Sequence, residues 1–346
     1  LEANILIVAF LLIVIVLSFE FSNGFNDGAN MVATPVITGA LGPRKALFMI
    51  AVFEFLGAWF LGTAVAQTLG KGIVSPQNVG IAAIFAALLG SILWNLGGWY
   101  FGMPSSSSHA LIGGLLGAVI MGSGPGYIYW QKVWQILAIL ILTPIVGLMA
   151  GCYLIKMVLS VSQNFKPNPA NRLFKRLQIF TSITLALSHG SNDAQKGMGI
   201  ISLSLIIFHG ISPKIIEKIY QPMNQNTFYV PKWVILACSL ALALGVCSGG
   251  RRIMKTLGTK LYRVRPVHGF SAQACSSAVI YLSSLFGFPV STAQIVSSSI
   301  LGAGSAQRLG SVRWGVGRQI FFTWIITIPG SAILSALFVL IMKQWI

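Results

Sequence analysis

The sequence predicts an all-α polytopic membrane protein, built as an inverted-topology repeat with broken helices and two re-entrant helical hairpins. Three observations carry this expectation. Only 8% of the 346 residues are charged and 55% are hydrophobic, where a soluble domain has roughly 25% charged residues. Apolar windows of about 20 residues, the length that crosses ~30 Å of hydrocarbon, recur along the chain. The pattern Ser-x-Gly-x-Asn-Asp occurs twice inside such windows, as "SNGFND" from Ser22 and "SHGSND" from Ser188, 166 positions apart.

Taken in order, the apolar run 3–21 comes first. Glu2 precedes it, no Lys or Arg does, and the polar motif follows at once, so it reads as a membrane helix rather than a secretory signal. Runs at 29–41 and 46–69 follow the first motif. The pair 78–103 and 105–121 is divided at "MPSSSSHALIGGLLGA", where a proline followed by hydroxyls predicts a helix broken at mid-depth. After 133–158, the stretch "SQNFKPNPANRLFKR" at 162–176 divides the chain near its middle. The run 178–208 holds the second motif, the polar connection 209–232 reads as an exposed loop, and 232–249 follows. The pair 267–288 and 290–303 is divided at "FPVSTAQIVSSSILGA", and 319–342 closes the chain. The 290–303 lobe spans only about 22 Å as a helix, which favours a hairpin over a full crossing.

The two halves match in the same order at three places. These are the Asn-Asp motifs, "GTAVAQTL" at 62–69 against "GRRIMKTL" at 250–257, and the proline-led strings. In the strings, Pro104 matches Pro289, Ser106 matches Ser291 and Gly117 matches Gly302. The expected organisation is a first membrane repeat over 1–160, a cytoplasmic linker over 161–177 and a second repeat over 178–346.

The net charge of +17 invites a nucleic-acid reading, but the basic residues cluster in short loops between apolar runs. That is the positive-inside bias, and the expected partner is the lipid bilayer, not nucleic acid. With the N-terminus outside and an odd number of crossings per half, sixteen basic residues fall on the cytoplasmic side and six outside, with Lys196 uncounted. The halves then enter from opposite faces, as in several inverted-repeat folds. Both termini are expected outside, on the extracellular or periplasmic face of the cell's inner membrane. The four cysteines lie in apolar stretches without Cys-x-x-Cys spacing, so neither a zinc site nor a disulfide framework is indicated.

The chain has six acids, and two of them, Asp27 and Asp193, hold matched places in the repeats. A mid-membrane carboxylate costs about 2.5–3.5 kcal/mol on insertion scales and needs a partner or a role. They could cap broken half-helices. They could also, with a serine hydroxyl and unwound carbonyls, offer the oxygen ligands a hard cation takes. Gly24, Gly28 and Gly190 let the backbone unwind there. On the second reading Ser22, Asn26 and Asp27 form one cation site, and Ser188, Asn192 and Asp193 another. The strings Ser105–Ser108 and Ser291–Thr292 follow prolines at expected helix starts, where free N–H groups and hydroxyls make an anion site. Gln195 belongs with this substrate-binding set. His109 beside the serines invites a hydrolase reading, which fails: no histidine follows the protease-like string Gly269-Phe270-Ser271-Ala272, and no Gly-x-Ser-x-Gly elbow exists. His189 reads as a structural histidine or a proton relay. Lys196 reads as a partner of Asp193 or of the anion, and Glu20 and Glu54 as coupling or scaffold residues without acidic counterparts in the second half.

"GFNDGAN" and "HGSNDAQKGMG", with the proline-serine strings and the internal duplication, resemble the inorganic phosphate transporter (PiT) family over nearly the whole chain. The first motif departs from relatives in carrying Phe25 where alanine is frequent. The resemblance implies phosphate transport coupled to sodium or, in many bacterial relatives, to protons. Some relatives carry sulfate. It also implies a homodimer, a phosphate site between the two motif pairs and no resident cofactor, sodium being a coupling ion. A pore lined by the same hydroxyls is the competing class.

Overall fold

A computed structural model of the chain describes residues 2–75, 79–217, 219–220, 228–249, 254, 261–262 and 264–343. Its helices are α1 (Glu2–Ile37), α2 (Pro43–Phe60), α3 (Ala64–Gly72), α4 (Ile81–Phe101), α5 (Ser107–Gly122), α6 (Trp130–Ser162), α7 (Pro167–Ile211), α8 (Pro213–Ile216), α9 (Lys232–Ser248), α10 (Pro266–Leu285), α11 (Thr292–Ser305) and α12 (Trp314–Lys343). Among the described residues, five helices are long and apolar enough to cross a membrane: α1, α4, α6, α7 and α12. The pair α2 and α3, bent by 72° at a short break, makes a sixth candidate. The match of "GRRIMKTL" to the first half falls almost wholly outside the described residues.

Both Asn-Asp motifs lie inside unbroken helices, which differs from the expectation of unwinding there. α1 runs through Ser22–Asn30 and α7 runs through Ser188–Lys196 without interruption. The glycines do another job. A Cβ on Gly24 would strike the carbonyl oxygen of Leu242 in α9, and one on Gly190 would strike that of Glu54 in α2. A bare backbone is needed there because two helices touch. The middle of the chain differs too: α6 ends at Ser162 and α7 starts at Pro167, so most of the expected linker is the first three turns of a 45-residue helix.

The breaks fall instead at the serine tips. α4 ends at Gly102 (φ 67°), whose N–H donates to Trp99 O, while the Met103 N–H reaches back to Gly98 O. α10 ends in the same way at Gly287 (φ 71°), with Gly287 N–H donating to Ser284 O and Phe288 N–H to Ser283 O. This is a Schellman close, which needs a left-handed residue and so favours glycine. Pro104 and Pro289 follow and forbid the helix from resuming at once. The new helices are then capped alike. Ser106 Oγ accepts from His109 N–H and Ser291 Oγ from Gln294 N–H.

Packing exchanges helices between the halves. α1 lies against α9 and α2 against α7, while α5 lies against α12 and α6 against α11. Further close approaches come in matched pairs: Gly57 on the Leu187 carbonyl with Gly245 on that of Phe21, and Gly117 on Ala332 with Gly302 on Leu148. Two buried apolar clusters result, one containing Leu12, Phe19, Leu115 and Leu205, the other Met31, Ile50, Leu185 and Ile300. Matched helices run between them in opposite senses. α1, α6 and α9 pass from the first cluster to the second, and α7, α12 and α2 from the second to the first. α5 leads into the first cluster and α11 into the second. The polar motifs of α1 and α7 sit between the clusters, so the site lies at mid-height.

Candidate functional site

The two capped helix starts meet tip to tip at this level. Ser108 Oγ donates to Val290 O across the junction at 2.7 Å, and Gln294 Nε2 lies 3.5 Å from His109 Nε2. Beyond each cap serine, the first N–H groups of α5 and α11 have no acceptor within their own helix. Both therefore bring partial positive charge to one buried place.

The carboxylates of the two motifs converge there. Thr292 Oγ1 lies 3.3 Å from Asp27 Oδ2 and 3.4 Å from Asp193 Oδ2. Ser107 Oγ donates to Asp27 Oδ2 at 3.5 Å. Lys196 Nζ, fully buried, sits 2.9 Å from Asp193 Oδ2 and donates to Ser107 Oγ at 3.1 Å. Behind them, His189 Nε2 is 3.4 Å from Asp193 Oδ2 and 3.9 Å from Asp27 Oδ2, and its Nδ1 is 2.7 Å from Glu54 Oε1. Asp27, His189 and Asp193 are close enough to share one metal ion. The two expected cation sites thus place their acids around a common centre.

The other expected residues hold varied positions. Asn26 Nδ2 donates to Asn95 O of α4 at 2.9 Å, leaving Asn26 Oδ1 buried without a partner. Asn192 reaches the end of α10, donating to Ser284 Oγ at 3.0 Å and Phe288 O at 3.1 Å. Its Oδ1 accepts from Val290 N–H at 3.4 Å. The asparagines therefore tie each hairpin to its motif helix. Ser22 Oγ donates to Phe19 O at 2.8 Å. Ser188 Oγ donates to Thr184 O at 2.8 Å and lies 3.0 Å from Ser277 Oγ. Ser105 is buried with its hydroxyl unpartnered, and Ser106 and Ser291 are the caps. Gln195 Oε1 accepts from Val65 and Ala66 N–H at 2.7 and 3.1 Å, and its Nε2 donates to Ser191 O. It fastens the start of α3 to α7. Asp193 Oδ1 has no partner.

Two contributors, Asn30 and Asn95, are missed in the sequence, and a third, Glu20, stays open there between coupling and scaffold. Asn30 Nδ2 donates to Asp27 Oδ1 at 2.9 Å, and Asn95 supplies its carbonyl to Asn26. Glu20 Oε1 accepts from Gly197 N–H at 2.5 Å, joining α1 to α7 just past the second motif. Asn30 was discoverable, since it holds the place in the first repeat that Lys196 holds in the second.

A lone anion fits such a site poorly. Two unit charges 4 Å apart interact by about 4 kcal/mol at an effective dielectric near 20. Asp27, which has no fixed cation beside it as Asp193 has in Lys196, would therefore oppose an anion by that order unless a cation arrives with it. Hydroxyls and N–H groups facing carboxylates are the donor set of a site that takes anion and cation together.

The model of the phosphate transporter family matches residues 23–335 of this chain. A protein of Bacillus subtilis, described as "Probable low-affinity inorganic phosphate transporter", is 40% identical over 335 residues, covering 96% of each chain. A Rhizobium meliloti protein with the same description is 40% identical over 326 residues, covering 94% of each. Among solved structures, one titled "The sodium-dependent phosphate transporter" superposes with a TM-score of 0.86 at 24% identity, covering 99% of this chain and all of that one. At that identity the likeness speaks for the fold.

Proposed function

We propose, for a chain that belongs to the phosphate transporter family, that inorganic phosphate crosses the membrane where the two serine-led helices meet, driven by a cation gradient with sodium as the coupling ion. The chain is a multi-pass membrane transporter and not an enzyme. The observation that carries the site is the convergence of two capped helix starts, Ser107 and Thr292, on the buried Asp27–Asp193 pair.

On this reading a cation binds first among the oxygens of the Asn-Asp motifs and lowers the negative potential. Phosphate then displaces the carboxylates as acceptor of the Ser107 and Thr292 hydroxyls and takes the free N–H groups of α5 and α11. Of the remaining serines, Ser105 and Ser108 line the first tip, and Ser106 and Ser291 hold its partners in place. Gln195 acts through the position of α3. The sodium assignment rests on the oxygens that Asp27, Asn26 and Asn30 offer, and the description of the structural relative as sodium-dependent agrees with it.

The inverted repeat, with halves 1–160 and 178–346, belongs to the same proposal. It is supported by matched helices running in opposite senses between the two clusters. The end rich in Arg44, Lys45, Lys166 and Lys175 is assigned to the cytoplasm, and both termini to the outer face of the inner membrane.

Uptake of labelled phosphate into proteoliposomes, with and without a sodium gradient at fixed pH, tests the whole. Saturable uptake that collapses without sodium and resists sulfate is expected. Uptake driven by a pH gradient alone would replace sodium by protons, effective sulfate competition would change the substrate, and linear uptake indifferent to gradients would make the protein a channel.

A further inference from the structure

We propose that the ammonium of Lys196 is a built-in cation of the second Asn-Asp motif, so that the chain takes one mobile sodium, at Asp27, where its repeat symmetry provides for two. This rests on the cation-coupled reading above and adds a count to it.

The two motifs are matched in sequence but not in charge. Lys196 stands three residues after Asp193, and the residue three after Asp27 is Asn30. Each donates to its own aspartate, Lys196 Nζ to Asp193 at 2.9 Å and Asn30 Nδ2 to Asp27 at 2.9 Å. One donor brings a full positive charge and the other none. Lys196 Nζ also takes the Ser107 hydroxyl oxygen at 3.1 Å, so its partners are a carboxylate oxygen and a hydroxyl oxygen. Those are the ligand types a hard cation selects. The ammonium occupies that position without exposure to solvent and, being tethered to α7, cannot be carried across.

The neutral motif keeps what a mobile ion needs. Asn26 Oδ1 and Asn30 Oδ1 are buried with no hydrogen-bond partner, while the matched oxygen in the second motif, Asn192 Oδ1, already accepts from Val290 N–H. Buried acceptors without donors are rare in folded chains, and a site that holds an ion supplies a reason for them. Free amide oxygens thus collect beside Asp27, whereas in the second motif the unpartnered oxygen, Asp193 Oδ1, belongs to the carboxylate that the ammonium already neutralises.

Equilibrium binding of radiolabelled sodium to the purified full-length protein counts the ions directly. The wild type should bind one sodium per chain, Asp27→Asn should bind none, and Asp193→Asn should still bind one. Lys196→Asn, which copies the first motif into the second, should bind two, and Lys196→Asn combined with Asp193→Asn should return to one. Two sodium ions in the wild type, with one lost in Asp193→Asn, would overturn the proposal, as would a Lys196→Asn protein with no added ion. If Lys196→Asn does not fold, the comparison of wild type with Asp193→Asn decides alone. A wild type that binds no sodium beside a Lys196→Asn protein that binds one would sink sodium coupling while supporting the tethered charge.

Discussion

The hydroxyl of Thr292 has one proton and two carboxylate neighbours, at 3.3 and 3.4 Å, so it satisfies only one of them at a time. An arriving oxyanion therefore meets a donor that is already shared and easily redirected. Ser107→Ala and Thr292→Ala each remove one donor to a charged ligand, worth about 1.5–3 kcal/mol. Phosphate affinity should fall by about 10- to 150-fold in each, measured by equilibrium binding. Sodium affinity should fall less, by linkage alone, and a larger loss for sodium than for phosphate would reverse the assigned roles. Glu54→Ala strips His189 of its 2.7 Å partner inside the protein. Breaking a buried pair from one side costs about 3–5 kcal/mol, so this variant should unfold at clearly lower temperature in detergent, and Glu54→Gln should recover part of the loss. The aspartates and tip hydroxyls were legible in the sequence because duplication prints them twice. The Glu54–His189 pair was not, since the counterpart of Glu54 is Leu242 and the partner lies in the other half.

Among elements, the motif helices show how one residue type carries two meanings. Glycines beside polar residues in an apolar run suggested unwinding, yet α1 and α7 stay helical because Gly24 and Gly190 admit the backbone of a neighbouring helix. Sequence spacing cannot tell a glycine that bends its own chain from one that receives another. Gly24→Ala and Gly190→Ala should each destabilise the protein by about 1–3 kcal/mol through overpacking. Gly97→Ala, inside α4 where a Cβ would meet nothing within 4 Å, should leave stability unchanged or raise it by up to about 1 kcal/mol. Thermal unfolding of the three in one detergent separates the cases; equal stability of Gly190→Ala and Gly97→Ala would mean that the α2–α7 contact yields freely. The hairpin tips were legible to within a few residues, because Gly, Pro and Ser at Gly102–Ser106 and Gly287–Ser291 each constrain the backbone in the same direction.

For the whole molecule, orientation is the quantity to measure. Lys166 and Lys214 are exposed and flank α7 at its two ends. Lys166→Cys should react with an impermeant thiol reagent only from the cytoplasmic face and Lys214→Cys only from outside, in a background lacking the four native cysteines. Reaction of both from one face would remove the inverted arrangement. Lys260, a third useful position by charge, lies outside the described residues. The homodimer implied by the family likeness is a separate proposal, checked by the mass of the detergent-solubilised particle after subtracting bound detergent. A particle near 37.1 kDa of protein would exclude it.

The exchange of helices between halves also bears on how the chain is made. α1 packs on α9, and Gly24 is 218 residues ahead of the Leu242 carbonyl it touches. At roughly 5–20 residues per second, that partner is synthesised some 10–40 s later. Asn26 and Asp27 lack Asn95 and Ser107 until these follow 69 and 80 residues later, Thr292 reaches Asp27 only after α9 is made, and a polar group in hydrocarbon without a partner costs several kcal/mol. The nascent first half must therefore wait at the insertion machinery or be shielded beside it. A gene split in the 163–166 connection should yield halves that are each degraded when made alone and that rescue one another when made together.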